Sequence, residues 1–392
     1  MSQTQTTELM QDSALFDDVA RQALGRYEFD GDEAKLLTFS ENYTYLVRNP
    51  VTGSKDAVLR ISRPGYHTLE ELEGEMAWLR QINDYTPLVV ANPLPAQDGS
   101  YIQSVIGPDG ATYECVVCEF LSGEAPSEDD PKGMVSQFCQ LGETTAYLHR
   151  QTEIWNGTRR LKRISWTYDT IIGEHAAWGP WQAFEGLTPQ DTAQLERCCT
   201  TIQRRLERYG MSERTFGLIH ADLRLANLLV ENDQVKVIDF DDCGFGWHLH
   251  DLAGALSFIE TSPLACDLVN SWLDGYRKVL PFTDTDFEEI DTFIMQRRLQ
   301  LTAWLASHKG SDPVKELSLG WVDGTMELAE RYLRLFAQTP RLPGTLIPKT
   351  KEAAYARRHR KHGGPHALHH YGLEQLQAFR FGRARPPDAR AR

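Results

Sequence analysis

The stretch IHADLRLANLLVENDQVKVIDFDD, residues 219–242, sets Asp222, Asp239, Asp241 and Asp242 among apolar residues that read as buried. Burying unpaired charge is costly, so such groups have partners: a metal, a substrate or neighbouring side chains. HADLRLAN reads as a loop core, ENDQ as a turn and VKVIDF as a strand. Asp222 and Asn227 therefore share one loop, and Asp239 ends a strand that can return beside it. Two aspartates and an amide converging at a strand edge form an oxygen-rich set. It suits Mg²⁺ better than zinc or copper, and Mg²⁺ held by few protein groups shares its shell with phosphates.

Working outward, residues 25–121 read as a small sheet of about five strands with a helix, TLEELEGEMAWLRQI (68–82), inserted after the third. Leu69, Leu72, Met76 and Leu79 have helical spacing there. Residues 1–24 read as a surface helix. SGEAPSEDDPKG (122–133) is polar and marks a boundary and hinge. Beyond it helices are expected from MVSQFCQLGETTAYLHR, from LTPQDTAQLERCCTTIQRRLERYG with its Thr cap and terminal Gly210, and over 263–280, 284–308 and 314–338. The expectation is an α+β chain with an N-terminal helical extension (1–24), a sheet domain (25–121), a helical domain (122–340) and a basic tail (341–392).

The composition is that of a soluble globular protein, 41% hydrophobic and 24% charged. Its longest apolar runs fall short of the ~20 residues that span a bilayer, and the polar, acidic start has no secretory pattern. A cytoplasmic protein is expected. The formal net charge is −14. Residues 351–392 hold ten Lys/Arg against three Asp/Glu, so the remainder carries −21, which argues against nucleic acid as a partner. Cys115 and Cys118 form a CxxC within a strand, where positions three apart face opposite ways, so joint metal ligation is not expected. Five of the twelve histidines lie between His359 and His370; metal binding or a disordered basic tail are the two readings of that tract.

A catalytic Asp five residues before an amide ligand, followed by a metal-binding Asp, is the phosphoryl-transfer arrangement of kinases. The pattern His220, Asp222, Asn227, then IDFDD and WHLHDLA, resembles the aminoglycoside phosphotransferase/choline kinase family. SENYTY and LRISRPGYHTLEELEGEMAWL add a likeness to its homoserine-kinase-type-II-like members. The resemblance spans about residues 25–335. It implies a protein-kinase-like, two-lobe fold, ATP and Mg²⁺ as cofactors, and a small-molecule hydroxyl as acceptor.

By that resemblance Asp222 is the base that accepts or orients the hydroxyl proton, and Asn227 and Asp239 bind Mg²⁺. His220 holds the loop rather than acting as a base, and Asp251 braces it or caps a helix. Arg224 either neutralises the transferred phosphoryl group or forms a surface salt bridge. In the sheet domain Arg60 stands where kinases usually carry Lys, with Glu75 as its partner. Ser40, in a glycine-free FSENYTY loop, would meet phosphates, and backbone groups of Glu119 and Leu121 would meet adenine. Acceptor-lining candidates are Asp241, Asp242, Trp247, His248, Trp304 and His308, with Arg297 or Arg298 meeting a substrate carboxylate. The Trp-rich segment 165–184 either covers the pocket mouth or is a packed insert. A hydroxylated amino acid or amino alcohol, homoserine-like, is the expected acceptor. An aminoglycoside, choline or ethanolamine are alternatives, as are a protein kinase or an inactive nucleotide-binding module.

Overall fold

The computed structural model describes residues 3–29, 32–39, 42–127, 129–309 and 312–336. Ser40 and the basic tail from residue 341 lie outside them. Contacts divide the chain into two compact units. The first runs to Gly123 and also takes in Leu161–Arg163; the second comprises Glu124–Arg160 and the chain from Ile164.

The first unit is an antiparallel sheet with a helix on each face. Its strands are β1 (Glu33–Phe39), β2 (Asn42–Arg48), β3 (Lys55–Ser62), β4 (Ile102–Ile106) and β5 (Thr112–Glu119), in the order β1-β2-β3-β5-β4. The expected count of five holds, but the partition differs. EAKLLTFSENYTYLVRNP forms two strands, and residues 88–121 supply two strands and an isolated bridge at Pro93. Strand alternation sorts the side chains. Ala57, Leu59 and Ile61 of β3 are fully buried on one face, with Val105, Cys115 and Val117.

Helix α1 (Gln3–Leu24) closes that face through Phe16, Val19, Ala20, Ala23 and Leu24. It is therefore part of this core, not a surface extension. Helix α2 (Leu69–Tyr85) takes the other face. Thr68 and Glu71 cap it reciprocally. Leu72, Met76, Trp78, Leu79 and Ile82 are buried, whereas Leu69 is exposed.

The second unit is mainly helical. It contains α3 (Pro131–Ile154), β6 (Ser165–Trp166), α4 (Tyr168–Ile172), α5 (Pro189–Tyr209), β7 (Phe216–Ile219), β8 (Leu228–Glu231), β9 (Gln234–Val237), β10 (Gly244–Trp247), α6 (Leu249–Ala255), α7 (Ala265–Tyr276), α8 (Asp284–Ser307), α9 (Asp312–Leu317) and α10 (Trp321–Phe336). Residues 314–338 were expected as one helix. Gly320, at φ 68°, breaks it between α9 and α10. α3 and α7 cross closely: a Cβ on Gly142 would lie 1.9 Å from the Trp272 carbonyl oxygen, and one on Gly275 1.8 Å from that of Cys139. α8 is buried on nearly every side, so its charged residues are paired within the unit, among them Glu289 with Arg205 at 2.8 Å and Asp286 with Arg214 at 2.8 Å. Among the described residues no helix is long and apolar enough to cross a membrane.

Candidate active site

Strand β7 delivers the chain into the loop His220–Arg224. A single 3-10 turn, Leu225–Asn227, then feeds β8. β8 and β9 form a hairpin whose turn residues, Asn232 and Asp233, both have positive φ, at 51° and 62°. This is the pair of conformations a two-residue type I′ turn requires. The ladder continues past the named strands: the Ile238 N–H donates to the Asn227 carbonyl at 3.0 Å. Asn227 and Asp239 are thereby brought to the same open end of the hairpin, 12 positions apart in sequence.

The loop is held from below by Asp251 in the first turn of α6. One carboxylate oxygen accepts the Ala221 N–H at 2.7 Å; the other accepts the His220 N–H at 3.2 Å and His149 Nε2 at 3.0 Å. Ala221 has φ 69°, a left-handed conformation costly for a residue with a Cβ. Two buried acceptor bonds to Asp251 make that conformation affordable. Burial alone would raise the Asp251 pKa, but the hydrogen bond and charge of His149 and the Ala221 N–H hold it below the usual range. His149 in turn contacts the Tyr276 hydroxyl through Nδ1 at 2.9 Å, so both ring nitrogens are engaged.

His220 follows the same logic. Its Nδ1 accepts the Asp222 N–H at 3.2 Å and its Nε2 donates to the Ile238 carbonyl at 3.2 Å. Both ring nitrogens are occupied in the neutral form, and burial pushes the pKa down. His220 is a strut between the loop and the hairpin and has no role as a base.

Asp222 is the centre of the network. Its Oδ2 accepts Asn227 Nδ2 at 2.7 Å and Arg224 Nε at 3.1 Å, and its Oδ1 accepts Arg297 Nη2 from α8. Burial would raise its pKa; the guanidinium charges of Arg224 and Arg297 overcome this and hold it at about 2. Asn227 Nδ2 also donates to the Asp222 carbonyl at 2.8 Å, so the amide oxygen points the opposite way. Asp239, half-buried with φ 70°, completes the cluster.

The structure places the acceptor-lining candidates as follows. For Arg297 or Arg298 the two readings were a substrate carboxylate or helix packing and surface charge. Arg297 is fully buried and spent on Asp222, Ser257 and Gln300; Arg298 is spent on Glu260 at 3.0 Å, Thr325 and the Trp321 carbonyl. The reason is their position in the middle of buried α8. Trp247 donates to the Gly210 carbonyl at 2.9 Å and lines a depression of about 430 Å³ with Tyr168, Glu207 and Met211; Asp222, Asn227 and Asp239 are not in its lining. His248 is buried against His149, with ring centroids 4.3 Å apart. Trp304 is buried and stacks on half-buried His308 at 4.9 Å, at the C-terminal end of α8. Asp241 is buried; Asp242 is half-buried and its carbonyl accepts Trp166 Nε1 at 2.7 Å.

In the Trp-rich segment Trp166 and Trp181 are buried, and half-buried Trp178 faces the Arg297 guanidinium at 5.3 Å. Trp178, His149 and the Arg297–Asp222 pair were missed by sequence reasoning. In the first unit Arg60 grips Glu75 with both arms, at 2.8 and 2.6 Å. Glu119 ends β5 and gives its N–H to the Asn92 carbonyl at 2.9 Å; Leu121 follows it, half-buried.

The sequence profile of the phosphotransferase enzyme family matches residues 37–285. The chain belongs to this family. Amicoumacin kinase of Bacillus subtilis (strain 168) is 25% identical over 236 residues, 60% of this chain and 66% of that protein, so the chain spans just under two thirds of that relative. Among solved structures of the fold, a microcompartment-associated aminopropanol kinase is 36% identical, with a TM-score of 0.73 over 81% of this chain and 97% of that one. Amicoumacin kinase hAmiN, solved with AMP-PNP and Ca²⁺, has 22% identity and a TM-score of 0.65, covering 80% and 92%. The last likeness shows the fold alone.

The residues present suit a divalent cation of the Mg²⁺ type. Among the described residues no group of three His, Cys, Asp or Glu forms an all-protein cage. Mg²⁺ needs none: one or two protein oxygens plus phosphate oxygens and water complete its shell. Asn227 and Asp239, adjacent at the hairpin mouth, offer that hard-oxygen set.

Proposed function

We propose that the chain is an ATP- and Mg²⁺-dependent kinase that phosphorylates the hydroxyl of a small amino alcohol. The observation that carries the chemistry is the oriented carboxylate of Asp222, braced through Asp251 and adjacent to the Asn227–Asp239 pair. Asp222 accepts a hydrogen bond from the acceptor hydroxyl and aims its oxygen at the γ-phosphorus. The O–P bond forms as the bond to the ADP oxygen breaks. While Arg224 and Arg297 both hold it, Asp222 is a weak base. In a loose transition state the hydroxyl proton passes late to the Asp222 carboxylate, so orientation matters more than basicity. Substrate approach displaces Arg224, the more exposed of the two arginines, which then turns to the transferred phosphoryl group.

Asn227 and Asp239 would hold Mg²⁺, whose contribution when bound is to neutralise phosphate charge. Arg60, set by Glu75, offers a guanidinium to the α- and β-phosphates, and backbone groups of Glu119 and Leu121 serve adenine. Helix α6 begins at Leu249, so little chain separates it from Asp239 for the activation segment of a protein kinase.

The acceptor class is supported by the aminopropanol kinase, the relative with 36% identity, and by the internal use of Arg297 and Arg298. With both arginines paired inside the fold, neither supports a substrate carboxylate, which favours an amino alcohol over homoserine. A second reading, an antibiotic acceptor, draws on the likeness to amicoumacin kinase.

The test is coupled ADP release with 1-amino-2-propanol, ethanolamine, homoserine and an aminoglycoside, on wild type and Asp222→Ala. Turnover of an amino alcohol by wild type alone is expected. Turnover of only homoserine or only the aminoglycoside would overturn the acceptor class. Equal rates in both proteins would overturn the role of Asp222.

A further inference from the structure

Glu75 is gripped by more than Arg60. Residues Leu161–Arg163 pack with the sheet unit, although the chain on either side of them packs with the other unit. The Arg163 side chain is fully buried. Its Nη1 donates to the Glu71 carbonyl of α2 at 2.9 Å and lies 4.0 Å from Glu75 Oε2. α2 is shaped to receive this segment. Gly74, buried in mid-helix, lies so close that a Cβ there would meet the Lys162 carbonyl oxygen at 2.9 Å and Arg163 Cδ at 3.4 Å. Glycine weakens a helix interior, and here its missing side chain is what lets the segment lie against the helix.

We propose that Leu161–Arg163 is a strap that sets α2, and that Arg163 is a positioning residue acting through Glu75 on Arg60. Two effects follow from the geometry. The bond to the Glu71 carbonyl and the approach at Gly74 fix the helix turn that carries Glu75. The second guanidinium also changes the local charge. Arg163 sets a second guanidinium 4.0 Å from the Glu75 carboxylate that Arg60 grips. Arg60 can then be offered to a phosphate while Glu75 stays compensated, which suits an anionic ligand. This inference rests on reading Arg60 as a nucleotide-phosphate contact.

The strap can be tested by calorimetric titration of the full chain with Mg²⁺·AMP-PNP, alongside steady-state KM values for ATP and acceptor. Arg163→Met is expected to weaken AMP-PNP binding about tenfold and to leave the acceptor KM unchanged. Arg163→Lys, which keeps the charge, is expected to bind within about threefold of wild type. Gly74→Ala, which keeps every charge but pushes the strap away, is expected to act in the same direction as Arg163→Met. In a Glu75→Gln background, Arg163→Met is expected to add no more than about twofold, because coupled residues are not additive.

Wild-type affinity in Arg163→Met, or full additivity with Glu75→Gln, would overturn the strap while leaving the kinase reading intact. An equal rise in both KM values would reduce Arg163 to general folding and likewise overturn it. Failure of the wild type itself to bind Mg²⁺·AMP-PNP would overturn the kinase reading and the strap together.

Discussion

Arg297 and Asp222 form a buried, hydrogen-bonded ion pair across 75 positions of sequence, joining α8 to the loop after β7. Arg224 holds the other carboxylate oxygen at 3.1 Å. One arginine is enclosed; the other is partly exposed.

Removing the enclosed partner leaves a buried carboxylate with one counter-charge fewer. Arg297→Met is expected to lower kcat on the order of a hundredfold and to raise the Asp222 pKa. The acid limb of kcat/KM then moves to higher pH, because Asp222 binds a proton more readily without that cation. Arg297→Lys should keep the acid limb near its wild-type position. A pH–rate profile of both variants checks this; a slower enzyme with an unmoved limb would reduce Arg297 to packing.

Asp251 satisfies two loop N–H groups and His149 at once. Asparagine in its place turns an NH₂ toward one of these donors. Asp251→Asn is expected to cost about 3 kcal/mol of stability and to lower kcat more than it raises either KM. Urea unfolding with steady-state kinetics measures both. Unchanged stability would show that the loop does not depend on this anchor.

The metal assignment predicts that EDTA abolishes turnover and that Mg²⁺ restores it. Asn227→Ala and Asp239→Ala should each raise the half-saturating Mg²⁺ concentration about tenfold or more at saturating ATP. An unshifted magnesium titration of initial rate in both variants would refute the assignment.

His248 and His250 are buried, and burial, aided by the charges of His149 and Arg297 respectively, depresses each pKa to about 3 from 6.5. The sign follows from linkage. Both rings are neutral in the fold, so their full contribution is present above the unfolded pKa. It is lost as pH falls from 6.5 toward 3, where the unfolded chain binds protons that the folded chain refuses. Each should cost about 1.4 kcal/mol per pH unit within that window. Urea midpoints at pH 7, 6 and 5 should fall steadily, and less steeply in His250→Phe. Midpoints independent of pH would refute the buried neutral rings.

What sequence revealed and what it hid divides by range. Asp222 and Asn227 are five positions apart, and Asp239 is tied to them by a short hairpin, so their meeting follows from local turn chemistry. Asp251 lay in a motif that announced its bracing role. The Arg163 contact spans 92 positions, and that of His149 with Asp251 spans 102. No periodicity encodes such pairings. For Arg297 and Arg298 the sequence left substrate contact and helix packing both open, because exposed arginines and arginines in the middle of a buried helix look alike in one dimension. The N-terminal helix misled: its apolar residues from Phe16 to Leu24 mark a core face whose counterpart is a sheet far along the chain.

The β8–β9 hairpin has a consequence for how this site can vary. Its ladder pairs Glu231 with Gln234 and Leu229 with Lys236, and continues to the bond between Asn227 and Ile238. Those are alternate rungs, the kind a two-residue turn must close on. Lengthening each strand by one residue would put the turn on the wrong kind of rung; lengthening each by two would not. The hairpin is thus a ruler graduated in fours. Relatives that keep the two-residue turn should hold the amide and the second aspartate 12 positions apart, as here, or differ from that by whole steps of four. Insertions of other lengths should part the ligands, however mild the inserted residues.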